Sequence, residues 1–505
     1  MPATDRAKRL TLLAAILGSS VVFLDGTVVN VALPSIRADL ESGLAEQQWI
    51  VEAYLLTLGS LILVGGSLGD ILGRRRVFVW GLAGFGVTSA LCAVAPGAVA
   101  LIVARGLQGV AGALLVPSSL ALITATFPGD ERGGAIGSWT AWTGMAFVIG
   151  PLGGGLLIEF ASWRWIFAIN VPLVLATLWL VRAGVPESRD EQASRSIDYL
   201  GALLASLGLA GPVFALIEQP RYGWADPLVW VPLVGGLALL ALFLWHERRT
   251  AHPMLPLTLF RSRNFAIGNL STLLVYGGLG AMSFFVVIFL QQVAGYSPVA
   301  AGLALLPITL LMWVLSRRFG ALSDRIGPRL PMGLGPIVAG LGMLWLARLD
   351  ADVNYVTEVL PGVLVFGLGL SATVAPLTNT VLGAVPQHNA GVASGVNNQI
   401  ARVAALLAIA AVGAVIASTF SSELGPPAPI GDYEPLTGRG IDGVEDASVT
   451  AFRAGMIVSG GFVILGGLIS LAGIVNPRRE EERPVHDEPG AIRVAQPCPE
   501  GRRAA

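Results

Sequence analysis

The chain is short of most of what a water-soluble protein of its length uses. Only 13% of its 505 residues are charged, about half the share found in soluble domains. There are two cysteines, Cys92 in an apolar run and Cys498 in a polar tail. They offer neither a disulfide framework nor a thiolate metal cluster. The four histidines (His246, His252, His388, His486) lie in or beside polar loops, so a zinc-type HExxH helix or histidine triad is unsupported. Lysine occurs once, at Lys8. No GxxxxGK[ST] segment exists to cradle a nucleotide phosphate, which argues against an ATP-driven pump. Net charge is -1, so bulk charge gives no reason to expect nucleic acid. A membrane enzyme or sensor would need a nucleophile–base set or a soluble domain, and neither is present. No metal or cofactor is expected.

Apolar residues fill the space instead. They make up 54% of the chain, and mean hydropathy is +0.71. Runs of roughly 20 apolar residues, each able to cross a bilayer core, recur along the whole length. The pattern predicts an all-α polytopic membrane protein with helices at 10–33, 48–69, 77–95, 99–126, 135–158, 164–183, 198–218, 228–246, 265–291, 299–319, 330–349, 356–380, 393–419 and 453–475. Arg6, Lys8 and Arg9 precede the first run as they would a signal peptide. That run carries Asp25, extends to about Leu33 and meets no small-residue cleavage site, so it reads as a membrane helix. Basic residues gather in alternate loops: Arg74–Arg75–Arg76, Arg248–Arg249 with Arg261 and Arg263, and Arg317–Arg318 with Arg325 and Arg329. Such loops stay cytoplasmic, so both termini are expected inside the cell (inner, cytoplasmic) membrane.

A repeat organises the helices. Gly66-Ser-Leu-Gly-Asp70-Ile-Leu-Gly73-Arg74-Arg75-Arg76 follows the second predicted helix, and Gly320-Ala-Leu-Ser-Asp324-Arg325-Ile-Gly327-Pro-Arg329 follows the tenth. The chain therefore reads as a six-helix bundle at 10–183, an inserted helix pair with linkers at 184–263, and a second six-helix bundle at 264–476. Parallel repeats of this kind hold substrate between the halves near the bilayer midplane. Residues 420–452 read as a long external loop and 477–505 as a disordered cytoplasmic tail.

Charges within the apolar helices are few: Asp25, Glu52, Arg105 and Arg402. Each costs about 2.5–3.5 kcal/mol to insert and is a functional candidate by default. At about 1.5 Å per residue, Asp25 lies roughly 12 Å below the outer end of helix 1 and Arg105 roughly 9 Å below the outer start of helix 4. They are level and would pair if their helices are neighbours. Either the pair couples a proton to transport, or it only locks two helices together. Glu52, a few residues below Trp49, reads either as a second coupling acid or as a shallow, hydrated one. Arg105, Gln108, Gly109 and Gly112 share one face of helix 4. Gly150 and Pro151, in a glycine-rich run of helix 5, suggest close packing with a kink, or a hinge that seals against the other half. Asp70, Arg74 and Asp324 mark helix junctions that could gate the inner side; service to topology alone, as in basic loops generally, is the competing reading of the arginines. Trp142, Asn269, Tyr276 and Gln291, with Trp139 and Gln292, are candidate cavity residues. An aromatic face attracts a desolvated cation, and interfacial anchoring is the competing reading.

These stretches together resemble the fourteen-helix drug:proton antiporter branch of the major facilitator superfamily. Leu24-Asp25-Gly26-Thr27-Val28-Val29-Asn30-Val31-Ala32-Leu33-Pro34 is similar to its helix-1 signature, and Gly66 to Arg76 to the superfamily's loop motif. Arg105-Gly-Leu-Gln108-Gly109 is similar to the helix-4 motif, Gly150-Pro151-Leu-Gly153-Gly154 to the helix-5 antiporter motif, and Trp163 to Pro172 to the helix-6 opening. The resemblance covers 10–475 and implies export of amphipathic, often cationic drugs in exchange for protons. A multidrug efflux role, with antibiotic resistance as its consequence, follows from it. Its expected partners are a small-molecule substrate, protons and the bilayer; no oligomer is implied. Two departures stand out: the second half has no deep carboxylate, and helix 13 continues as Ala404-Ala405-Leu406-Leu407 after Asn397-Asn398 and Arg402. A lipid or endogenous natural product is the alternative cargo.

Overall fold

The computed structural model describes residues 4–189, 198–250, 253–386, 390–424, 434–437, 441 and 443–476. Among them, fourteen helices are long and apolar enough to span a membrane: α1 (Asp5–Leu40), α2 (Leu44–Leu72), α3 (Arg74–Ala93), α4 (Ala98–Thr126), α5 (Glu131–Phe160), α6 (Trp165–Gly184), α7 (Tyr199–Tyr222), α8 (Pro227–Glu247), α9 (Arg263–Gln292), α10 (Pro298–Ile326), α11 (Arg329–Leu346), α12 (Tyr355–Gly383), α13 (Val392–Leu424) and α14 (Val444–Gly473). Helices answer the bilayer's demand that every backbone polar group be satisfied within its own segment. Side chains take over at the ends. Glu46 accepts from the Gly43 N–H at 2.9 Å where α2 begins, and Asp198 and Asp226 cap α7 and α8.

Contacts repeat with an offset of eight helices. In the first bundle α2 packs on α4, α3 on α4 and α6, and α1 on α5 and α6. In the second α10 packs on α12, α11 on α12 and α14, and α9 on α13 and α14. This is the major facilitator architecture of two six-helix bundles. The bundles meet through α2 with α13 and α5 with α10, which exchange under the repeat, and through α1 with α9. Small residues permit the closest approaches: a Cβ on Gly65 would meet the Ala113 backbone of α4, and one on Gly302 the Pro151 carbonyl. The inserted helix α7 lies on both α2 and α13. Leu209, Val213 and Ile217 are buried there with Leu406 and Ala410, and the Trp49 indole N–H donates to Glu218 at 3.0 Å. Its partner α8 packs on α7 and exposes Leu228, Trp230, Val234, Leu237 and Trp245.

Three expectations need correction. The helices outrun their apolar cores: α1 reaches Leu40, and α14 starts at Val444 instead of 453, with Glu445 and Asp446 in a first turn whose dipole favours acids. The predicted 420–452 loop therefore shrinks to the stretch between Leu424 and Val444. Within it Leu436 is fully buried at positive φ (59°), and Glu434 accepts from the Leu44 N–H at 3.2 Å, capping α2 of the other bundle. Lastly, α5 is interrupted at Met145, upstream of Pro151. The expected tail, together with His252, His388, His486 and Cys498, lies outside the described residues.

Candidate functional site: a buried polar core and an unpaired acid

Asp25, Arg105, Gln108 and Asn170 converge inside the first bundle. Asp25 is 1% exposed. Its carboxylate accepts from Arg105 Nη1, from Gln108 Nε2 at 3.0 Å and from Asn170 Nδ2 at 3.1 Å. Arg105 is equally buried. Its Nε donates to the Ile50 carbonyl at 3.1 Å, and its plane lies 4.2 Å from the Tyr54 ring. Gln108 and Asn170 both reach Ser89 Oγ, at 2.9 and 3.4 Å, and the Tyr54 hydroxyl donates to the Val22 carbonyl at 3.1 Å. One network thus joins α1, α2, α3, α4 and α6. Arg105 Nη1 alone meets the carboxylate and also donates to Gln108 Oε1 at 2.6 Å, so both Asp25 oxygens are partnered and the arginine has a counter-charge.

Glu52, one helix away, has none of this. It is fully buried, and neither carboxyl oxygen has a hydrogen-bond partner. The hydrated, shallow reading is thereby corrected. Helical spacing puts it on a stripe with Gln48, Gly59 and Leu63. That stripe faces α13: Gln48 Nε2 donates to the Ile409 carbonyl at 2.9 Å, Gly59 accepts from Gln399, and Leu63 lies against Gly395. Arg402, on the opposing surface of α13, points at the Phe23 ring, 6.0 Å away.

The other candidates scatter. Gln291 ties the bundles together by donating to the Val31 carbonyl at 3.0 Å, and Gln292 reaches Gln47 at 3.4 Å. A Cβ on Gly150 would meet Thr27 of α1, and one on Gly155 would meet Val299 of α10, so the glycine run seats α5 against both bundles. These contacts gather towards the end of the molecule carrying residues 41–43. Towards the other end Trp142 and Trp313 are 55% and 84% exposed. Asp70 pairs with Arg74 along its own junction at 2.8 Å and does not reach across to Asp324, which is exposed. Asn269 is a helix contact, accepting from Asn397 at 3.0 Å, and Tyr276, further along α9, is half-buried. Sequence reading passed over Asn170, Ser89 and Glu187. The last receives the Arg75 and Arg76 N–H groups at 3.0 and 3.2 Å and so caps α3. Asn170 does lie within the helix-6 motif, and its place in an apolar run was the available signal.

Comparison with known proteins agrees with this geometry. Residues 15–409 match the model of the Major Facilitator Superfamily. The chain is 36% identical to the multidrug resistance protein Stp of Mycobacterium tuberculosis over 84% of its length and 78% of that protein's. It is 37% identical to the tetracenomycin C resistance and export protein of Streptomyces glaucescens, covering 81% and 76%. With the puromycin resistance protein pur8 of Streptomyces alboniger it shares 39%, covering 78% and 79%. Among solved structures, an inward-facing bacterial homolog of the lysosomal transporter Spinster superposes with a TM-score of 0.66 at 16% identity, covering 94% of this chain and all of that one. The peptide transporter PepTSo gives 0.65 at 17%, covering 93% and 98%. With the repeated six-helix bundles, the motifs on α1, α4, α5 and α6 and these relatives in agreement, the chain belongs to the major facilitator superfamily, as a transport protein and not an enzyme.

Proposed function

We propose that the protein exports amphipathic, cationic drugs or dyes in exchange for protons by alternating access. The carrying observation is the pair of buried acids, Asp25 compensated and Glu52 uncompensated, in a bundle whose helices otherwise bury little charge. The basic loops support a cytoplasmic location for both termini. On that orientation the bundle contacts of Gln291, Gln292 and Gly155 lie on the external side, which supports an inward-facing conformer that collects cargo. A proton moving down 100 mV supplies about 2.3 kcal/mol, enough for a roughly fifty-fold gradient. Resistance and export in the names of three relatives support the direction of transport.

The test is dye efflux from an efflux-deficient host. Wild type should keep a cationic dye low until a protonophore is added, and Asp25→Asn should fail to do so. Efflux indifferent to the protonophore would sink the proton-driven reading. Natural-product cargo is the second reading, favoured by the tetracenomycin C relative. A difference in secreted metabolites or membrane lipids between knockout and parent, without any dye phenotype, would select it.

A further inference from the structure

We infer that Glu52 carries the exchanged proton, and that Asp25 stays ionised as part of a fixed electrostatic core. The inference rests on the proton-exchange reading above and assigns its proton to one residue.

Three observations carry it. Asp25 already has an arginine and two amide donors on its carboxylate, so protonating it would break an ion pair and leave Arg105 buried without a counter-charge. Glu52 has the opposite problem. An ionised carboxylate with both oxygens buried and unpartnered is the costly state, and a protonated one is the state its surroundings tolerate. The charged groups on the packed helices are engaged elsewhere. Arg105 of α4 and Asp25 of α1 hold each other, Glu218 of α7 holds Trp49, and Arg402 of α13 faces Phe23. Position is the third observation. Glu52 lies on the α13-facing stripe of α2, on a surface the two bundles share, whereas Asp25 sits inside one bundle. Alternating access parts the bundles, so water would reach Glu52 in one conformer and leave it dry in the other. Asp25 moves as a unit with its partners. Glu52 would take its proton from external water when α2 and α13 part, carry it through closure, and give it up on the cytoplasmic side when a cationic cargo displaces it, with no change in covalent bonds beyond the O–H.

The test uses full-length purified protein and inside-out vesicles. At neutral pH the infrared spectrum should contain a protonated-carboxyl C=O band. Glu52→Gln should abolish that band, and Asp324→Asn at the exposed junction should retain it. A band that survives Glu52→Gln, or is absent from wild type, overturns the assignment. In vesicles, Glu52→Gln should lower pH-driven dye transport at least tenfold while melting like wild type, and Glu52→Asp should restore part of it. Transport within twofold of wild type overturns the inference. If the band behaves as expected but wild-type transport ignores a protonophore, proton exchange itself fails while the protonation state of Glu52 stands.

Discussion

Asp25 and Glu52 are both acids buried near the same level of adjacent helices, and their surroundings ask opposite things of them. An unpaired ion inside a protein costs several kcal/mol even after relaxation. Holding an ordinary glutamic acid protonated at neutral pH costs about 4 kcal/mol, so the neutral form is competitive for Glu52 and unnecessary for Asp25. Asp25→Asn is therefore expected to destabilise by about 3–5 kcal/mol, because Arg105 is left charged and unpaired. An Asp25→Leu, Arg105→Met double variant should regain most of the melting temperature in detergent and, with Glu52 intact, part of the transport. A stable double variant without transport would give the pair a role beyond fixing the core. Glu52→Gln preserves shape and neutrality, so its melting temperature should match wild type. The Asp25–Arg105 pairing was legible beforehand because helix rise converts sequence position into depth. The isolation of Glu52 was not, because access depends on the register of α13 against α2, which no residue of α2 encodes.

At the scale of helices, hydropathy found all fourteen spans but not their ends. Apolar runs mark the bilayer core, and α1, α13 and α14 continue as helices beyond it. The repeat was readable at Asp70 and Asp324, and the observed packing obeys it. Its gating partner was not, since Asp70 turns to Arg74 of the next helix. The seat of α5 depends on glycines. Gly150→Val would collide with Thr27, within its own bundle, and should lower both expression and melting temperature. Gly302→Val would collide with the Pro151 carbonyl across the seam, so its effect should fall on closure. Placed in that background, Gln291→Cys should react several-fold faster with a membrane-impermeant maleimide than in wild type. Equal rates would show that the seam does not control the outer closure.

For the whole molecule, closure at one end is a statement about which contacts must break in a transport cycle. Gln48 and Gly413 face each other across the α2–α13 seam. With Cys92 and Cys498 replaced by serine, cysteines at 48 and 413 joined by a short bifunctional thiol reagent should stop efflux, and a reducible linker should let it resume. Uninterrupted efflux after complete cross-linking would exclude opening at this end.

The short stretch around Leu436 has a bearing on how such a protein could be stopped. It is contributed by one bundle, yet its Glu434 ends a helix of the other, and its leucine is sunk among core residues. On the proposed alternating-access cycle this peg is pulled out and reseated at each turnover. On the proposed orientation it is external, so a nanobody that clasps residues 434–437 should jam the machine without entering the cell, and dye retention in spheroplasts treated with it would report the arrest. Drug efflux could then be blocked by a molecule too large ever to be pumped.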